Sequence, residues 1–161
     1  MKDLLNTIAF ELDKCLINSG FKRTFNYEWC RPERWKQSIV DIDIRRAIDV
    51  TFLVSLRVVI PTEGLVGTKE WPYQYLAQEN VPRILGKESQ YTKCPKLRFF
   101  QPQFVKSVVK DVEASLTWFQ TFSTPEQCLL QLSQMFSPDS DAYKDAYRYL
   151  TRIQQESRNQ K

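Results

Sequence analysis

The chain has 161 residues and no histidine. Histidine is the usual general base near neutral pH and the commonest nitrogen ligand for metals. Its absence excludes a Ser-His or Cys-His nucleophile and any zinc site built on an imidazole. The four cysteines, Cys15, Cys30, Cys94 and Cys128, form no C-x-x-C pair. Neither a zinc knuckle nor a thioredoxin-like motif is therefore indicated. Cys15 falls on the apolar side of a helical pattern and Cys128 within another, which reads as buried free thiols in a reducing compartment. Spacing does not fix pairing, so two disulfides are the alternative. No apolar run approaches the ~18–20 residues of a membrane span. Met1-Lys2-Asp3-Leu4 opens a charged helix rather than the apolar core of a signal peptide. The expectation is a soluble, cytoplasmic protein. Gly64-x-x-Gly67-Thr68-Lys69 lacks the glycine spacing and following helix of a phosphate loop.

What is present supports a core. Hydrophobic residues make up 42% of the chain and aromatics 13%, so large apolar side chains must be buried. The length suggests one domain over residues 1–161. The net charge of +4 is unevenly spread. Residues 83–110 carry seven basic side chains against Glu88 alone, whereas residues 111–142 carry five acidic ones and no Lys or Arg. Such asymmetry steers charged partners when it is not simply solvated surface.

Residues Asp3 to Ser19 read as an amphipathic helix, with Leu5, Ile8, Leu12, Cys15 and Leu16 on one face and Gly20 as its stop. Three β-rich runs follow, Phe21–Arg31, Trp35–Arg45 and Asp49–Ile60. Alternation places Phe25, Tyr27 and Trp29 on one face of the first. Val40, Ile42 and Ile44 oppose Ile39, Asp41 and Asp43 in the second. Val50, Phe52, Val54, Leu56, Val58 and Ile60 share a face of the third. Short connections near Pro32-Glu33 and Ala47 predict antiparallel neighbours. Prolines and glycines interrupt residues 61–101, where Trp71–Ala77 suggests a short helix and Lys96–Phe100 an edge strand. Beyond Pro102 the pattern is helical: a stripe of Val105, Val108, Val109, Val112, Leu116 and Phe119, a helix capped at Ser123-Thr124 and running to Met135, and a last helix over Ser140–Gln155. The fold class expected is α+β, an N-terminal helix packed on an antiparallel sheet of at least three strands, with a helical C-terminal third.

Gly20-Phe21-Lys22 at the helix end, Phe25 and Tyr27, and the runs Ser38–Ile44 and Thr51–Leu56 resemble the opening block of the bacterial domain-of-unknown-function family 4304. The resemblance covers about the first third of the chain. It implies an α+β fold and supplies no catalytic signature. Small bacterial domains of this kind occur as immunity or accessory proteins beside toxin genes, an analogy of fold rather than of site.

Three groups of residues carry candidate chemistry. Asp41 and Asp43 share a strand face and, with Glu28, could offer oxygen ligands to Mg²⁺ as in a nuclease. No Glu-x-Lys element completes such a site, and a solvated sheet face explains the same residues. Lys93, Lys96 and Arg98 interleave with Tyr91, Phe99 and Phe100. That mixture suits an acidic protein surface, a nucleic acid, or a lysine-decorated edge strand. Trp71-Pro72-Tyr73-Gln74-Tyr75 groups three aromatics, as an interface anchor or a flap over the sheet. Tyr143, Tyr147 and Tyr149 read as core and rim. The expectation is a non-enzymatic protein-binding chain that contacts an acidic partner through Lys93, Lys96, Arg98, Trp71 and Tyr73, with no cofactor. Nucleic-acid binding through residues 83–110 is the alternative, and an acid-only, metal-dependent nuclease the third reading.

Overall fold

In the computed structural model, which describes residues 2–45, 51–62, 73–87 and 101–159, helix α1 spans Lys2–Asn18. Its apolar positions Leu5, Ile8, Leu12 and Leu16 are buried, as the three- and four-residue spacing predicts. Gly20 ends it with φ of 81°. The amide of Gly20 donates to the Ile17 carbonyl and that of Phe21 to the Leu16 carbonyl, both at 3.0 Å. These two bonds make a Schellman cap, which requires a left-handed residue and favours glycine. Phe21, just beyond the cap, is buried.

The run Phe21–Arg31 is a hairpin and not one strand. Strand β1 (Lys22–Phe25) pairs antiparallel with β2 (Glu28–Pro32), Lys22 opposite Cys30 and Phe25 opposite Glu28, with a register irregularity between Arg23 and Phe25. The aromatic alternation at positions 25, 27 and 29 continues through the turn, and neither glycine nor proline marks it. The Arg23 side chain stabilises the bend by donating to the carbonyls of Phe25 and Asn26. In consequence Phe25 and Trp29 do not share a face: Phe25 is 72% exposed and Trp29 fully buried.

Strands β3 (Gln37–Arg45), β4 (Thr51–Pro61) and β5 (Tyr73–Asn80) complete a five-stranded antiparallel sheet in the order β1-β2-β3-β4-β5. Both faces of β4 are buried from Phe52 to Ile60, Arg57 alone reaching half exposure. A continuous apolar run suits a strand covered on two sides. Val50, Ala47 and the connection around them lie outside the described residues. The expected helix over Trp71–Ala77 is corrected: Tyr73–Asn80 is a strand, with Gln74 and Leu76 buried and Tyr75 exposed. Period-two burial prevails there over a tyrosine- and glutamine-rich composition. Lys96–Phe100 lies outside the described residues.

Helix α2 (Val81–Ile84) is one turn, α3 spans Gln101–Ser115, and a 3-10 segment, Leu116–Phe122, follows. Helix α4 (Pro125–Met135) starts with a capping box: the Thr124 hydroxyl accepts from the Gln127 amide, and the Gln127 side chain accepts from the Thr124 amide. Helix α5 (Asp141–Arg158) is capped by the Ser140 hydroxyl, which accepts from the Tyr143 amide at 3.1 Å. Among the described residues no helix is long and apolar enough to cross a membrane.

The chain divides into two compact units, each discontinuous in sequence. The first comprises 1–31, 39–56 and 79–117. In it α1 packs against α3, and the rings of Phe52 and Phe104 meet edge-on at 5.9 Å. The Asp13 carboxylate on α1 accepts from Trp29 Nε1 at 2.7 Å and from Arg23 at 3.0 Å, so one side chain holds both hairpin strands to the helix. The second unit comprises 32–38, 57–78 and 118–161. In it α4 packs against α5 around Leu132, Ala146 and Leu150. The Tyr149 hydroxyl donates to the Trp35 carbonyl at 2.6 Å, and Gln74 Nε2 donates to the Ala142 carbonyl at 3.4 Å.

Candidate partner-binding groove

Lys93, Lys96, Arg98 and Trp71 lie outside the described residues, as does Cys94. Tyr73 opens β5 and is half-buried. The basic stretch is nevertheless represented by four side chains in the first unit, and they behave differently. Lys87 is bound to Asp111 at 2.5 Å, with the carboxylate largely buried, and acts as a structural tie. Arg83 lies 3.6 Å from Glu79 on an exposed surface, a pair of little energetic weight. Lys106 and Lys110 are exposed, one turn apart on α3, and line a groove.

That groove, about 460 Å³ in volume, runs between α1 and α3. Leu4 and Thr7 from α1, and Pro102, Val105 and Val109 from α3, provide its apolar lining. The valine stripe explains why it exists. Val105, Val108 and Val112 are buried, whereas Val109 is left half-buried at the groove. Glu11 and Glu113 also line it. Glu11 is neutralised by Lys14 at 2.7 Å, so the two α3 lysines and one carboxylate set the local charge. An apolar trough with lysines beside it accepts an apolar anchor side chain while pairing with carboxylates around that anchor.

Two thiols are held protonated by burial. Burial pushes the Cys15 thiol up to about 12, and its hydrogen bond to Glu113 adds to that. Burial likewise pushes Cys128 up to about 12, against the opposing pull of Lys36. Among the described residues Cys15, Cys30 and Cys128 form no disulfide.

The acidic residues separate. Glu28 and Asp41 line an open hollow of about 700 Å³ beside the hairpin turn, together with Arg23, Phe25 and Tyr27. Asp43 is exposed and does not line it. Among the described residues no group of three His, Cys, Asp or Glu side chains is placed to hold a metal ion. The Thr24 hydroxyl donates to the Glu28 carboxylate at 2.7 Å, so Glu28 already serves the hairpin.

The tyrosines of α5 divide into core and rim, as the sequence suggests. Tyr149 is buried, but Tyr147 is 49% exposed. The spacing of Lys144, Arg148 and Arg152 marks the outer face of the helix. Compared with protein-family models, curated proteins and solved structures, the chain matches none.

Proposed function

We propose that this chain is a non-enzymatic binding protein that covers an acidic surface of a protein partner, in the manner of an immunity or accessory protein of a bacterial toxin system. One observation carries the reading: the α1–α3 groove is apolar inside and has Lys106 and Lys110 on its α3 side. Association then follows from elementary terms. The lysines raise the encounter rate with a negative surface. An apolar side chain of the partner enters the groove between Leu4, Val105 and Val109, and its burial supplies affinity. Lys93, Lys96, Arg98, Trp71 and Tyr73 are proposed as further partner contacts on their charge and aromatic character alone. The resemblance to family 4304 fits this role, because it brings an α+β scaffold and no catalytic residues.

The test uses the product of a toxin-like reading frame adjacent to the gene. Binding of the purified pair is measured by calorimetry across a salt series, with wild type and with Lys106→Glu/Lys110→Glu. The double variant should fold normally, since exposed charges contribute little to stability. It should bind about tenfold or more weakly, with a flatter salt dependence. Equal binding by the double variant removes the groove from the interface. Incubation with Mg²⁺ or Mn²⁺ and DNA or RNA provides the other arm. Cleavage that disappears in Asp41→Asn overturns the non-enzymatic reading.

A further inference from the structure

We infer that the outer face of α5, in the second unit, is a binding surface for single-stranded nucleic acid. Lys144, Arg148 and Arg152 are exposed and follow one another at four-residue steps. They therefore stand about 6 Å apart along the helix axis, on one side of it. Three cations face two carboxylates here. Asp141 approaches Lys144 only to 3.9 Å, Glu156 follows Arg152 at the next four-residue step, and Asp145 is fully buried. Among the described residues Arg148 has no ion-pair or hydrogen-bond partner.

Beside this row stands an aromatic ring prepared for stacking. Tyr147 packs on Tyr143 with ring centroids 6.0 Å apart and planes within 9° of parallel. Tyr143 is half-buried and Tyr147 is 49% exposed, so the inner ring orients the outer one. The helix beneath is held firmly, by the Ser140 cap, by α4, and by the Tyr149 hydroxyl on the Trp35 carbonyl. Cations in a row with a fixed flat ring are the elements by which proteins hold a single strand without reading its sequence: the cations follow the phosphates and the ring stacks a base.

The composition of the face selects this occupant over an acidic protein. A protein interface needs a desolvated apolar centre. The exposed residues of α5 are Asp141, Lys144, Tyr147, Arg148, Arg152 and polar residues beyond, with no aliphatic side chain among them. The apolar side of the helix, Ala146, Tyr149 and Leu150, is already buried, which also excludes its use as a membrane-surface helix.

Fluorescence anisotropy of a labelled oligothymidine of about 15 nucleotides, titrated with the full chain between about 50 and 200 mM salt, tests the inference. Wild type should bind, and the logarithm of affinity should fall linearly with the logarithm of salt. Lys144→Glu/Arg148→Glu should lose tenfold or more and flatten the salt slope by about 1.4, the value for two phosphate contacts. Tyr147→Ala should lose about fivefold or more, while Tyr147→Phe retains binding. Circular dichroism melts establish that each variant is folded. Absence of wild-type binding at the lowest salt overturns the inference. So does unchanged binding in the α5 double variant, whatever Lys106→Glu/Lys110→Glu does. Polyglutamate is titrated in parallel. If it competes as strongly as the oligonucleotide and Tyr147→Ala changes nothing, the face is a general anion surface and the nucleic-acid assignment fails.

Discussion

Strands β1 and β4 belong to one sheet and owe their existence to opposite causes. From Phe52 to Ile60, β4 is covered on both faces, and its own side chains supply the burial that keeps it in place. All four residues of β1 are exposed, Phe25 most of all. Nothing in β1 is driven out of water. It is held by its pairing with β2 and by contacts that Asp13 makes with Arg23 and Trp29. A central strand is thus specified by its composition, and an edge strand by what grips it.

The largest effect expected from this contrast lies in β4. Leu56 is fully buried, and Leu56→Ala should cost roughly 2–5 kcal/mol in urea unfolding. A loss below about 1 kcal/mol would place the strand's contribution elsewhere. Asp13→Ala should come next, at about 1–3 kcal/mol, because it leaves the indole N–H of the buried Trp29 without its acceptor. Asp13→Asn, which can still accept from the indole, should recover part of that loss in the same melts. Phe25→Ser should change stability by less than about 0.5 kcal/mol, as for an exposed surface position. A larger loss would show that β1 contributes packing of its own and would erase the distinction between the two strands.

Legibility in the sequence follows the same division. Helix α1, its stop at Gly20, strand β4 and the caps of α4 and α5 all announce themselves by period and by residue chemistry. The hairpin turn at Asn26-Tyr27 does not. Its bend depends on the Arg23 side chain reaching across to the turn carbonyls, and alternation alone cannot reveal that contact. Strand β5 was obscured by the prolines on either side of it, Pro72 and Pro82. The basic stretch was legible as charge. Its sorting was not: Lys87 serves a buried pair, whereas Lys106 and Lys110 line a groove, a distinction that depends on where Asp111 and α1 lie in space. Asp41 and Asp43 differ in exposure, β3 burying the first and leaving the second at the surface, which alternation alone does not reveal.

The bond between the Tyr149 hydroxyl and the Trp35 carbonyl joins residues 114 positions apart, and each compact unit draws on widely separated parts of the chain. For a polypeptide leaving the ribosome, this ordering has a temporal meaning. Helix α1 emerges before α3, which ends 97 residues beyond Asn18, several seconds of synthesis at about 5–20 residues per second. The turn at Trp35 waits longer still, for α5. Neither unit can close until its last segment is made, so the apolar strand β4 waits for α3 in one unit and for α5 in the other. High contact order slows folding, and the nascent chain is most vulnerable to aggregation through the segment that makes the finished sheet secure.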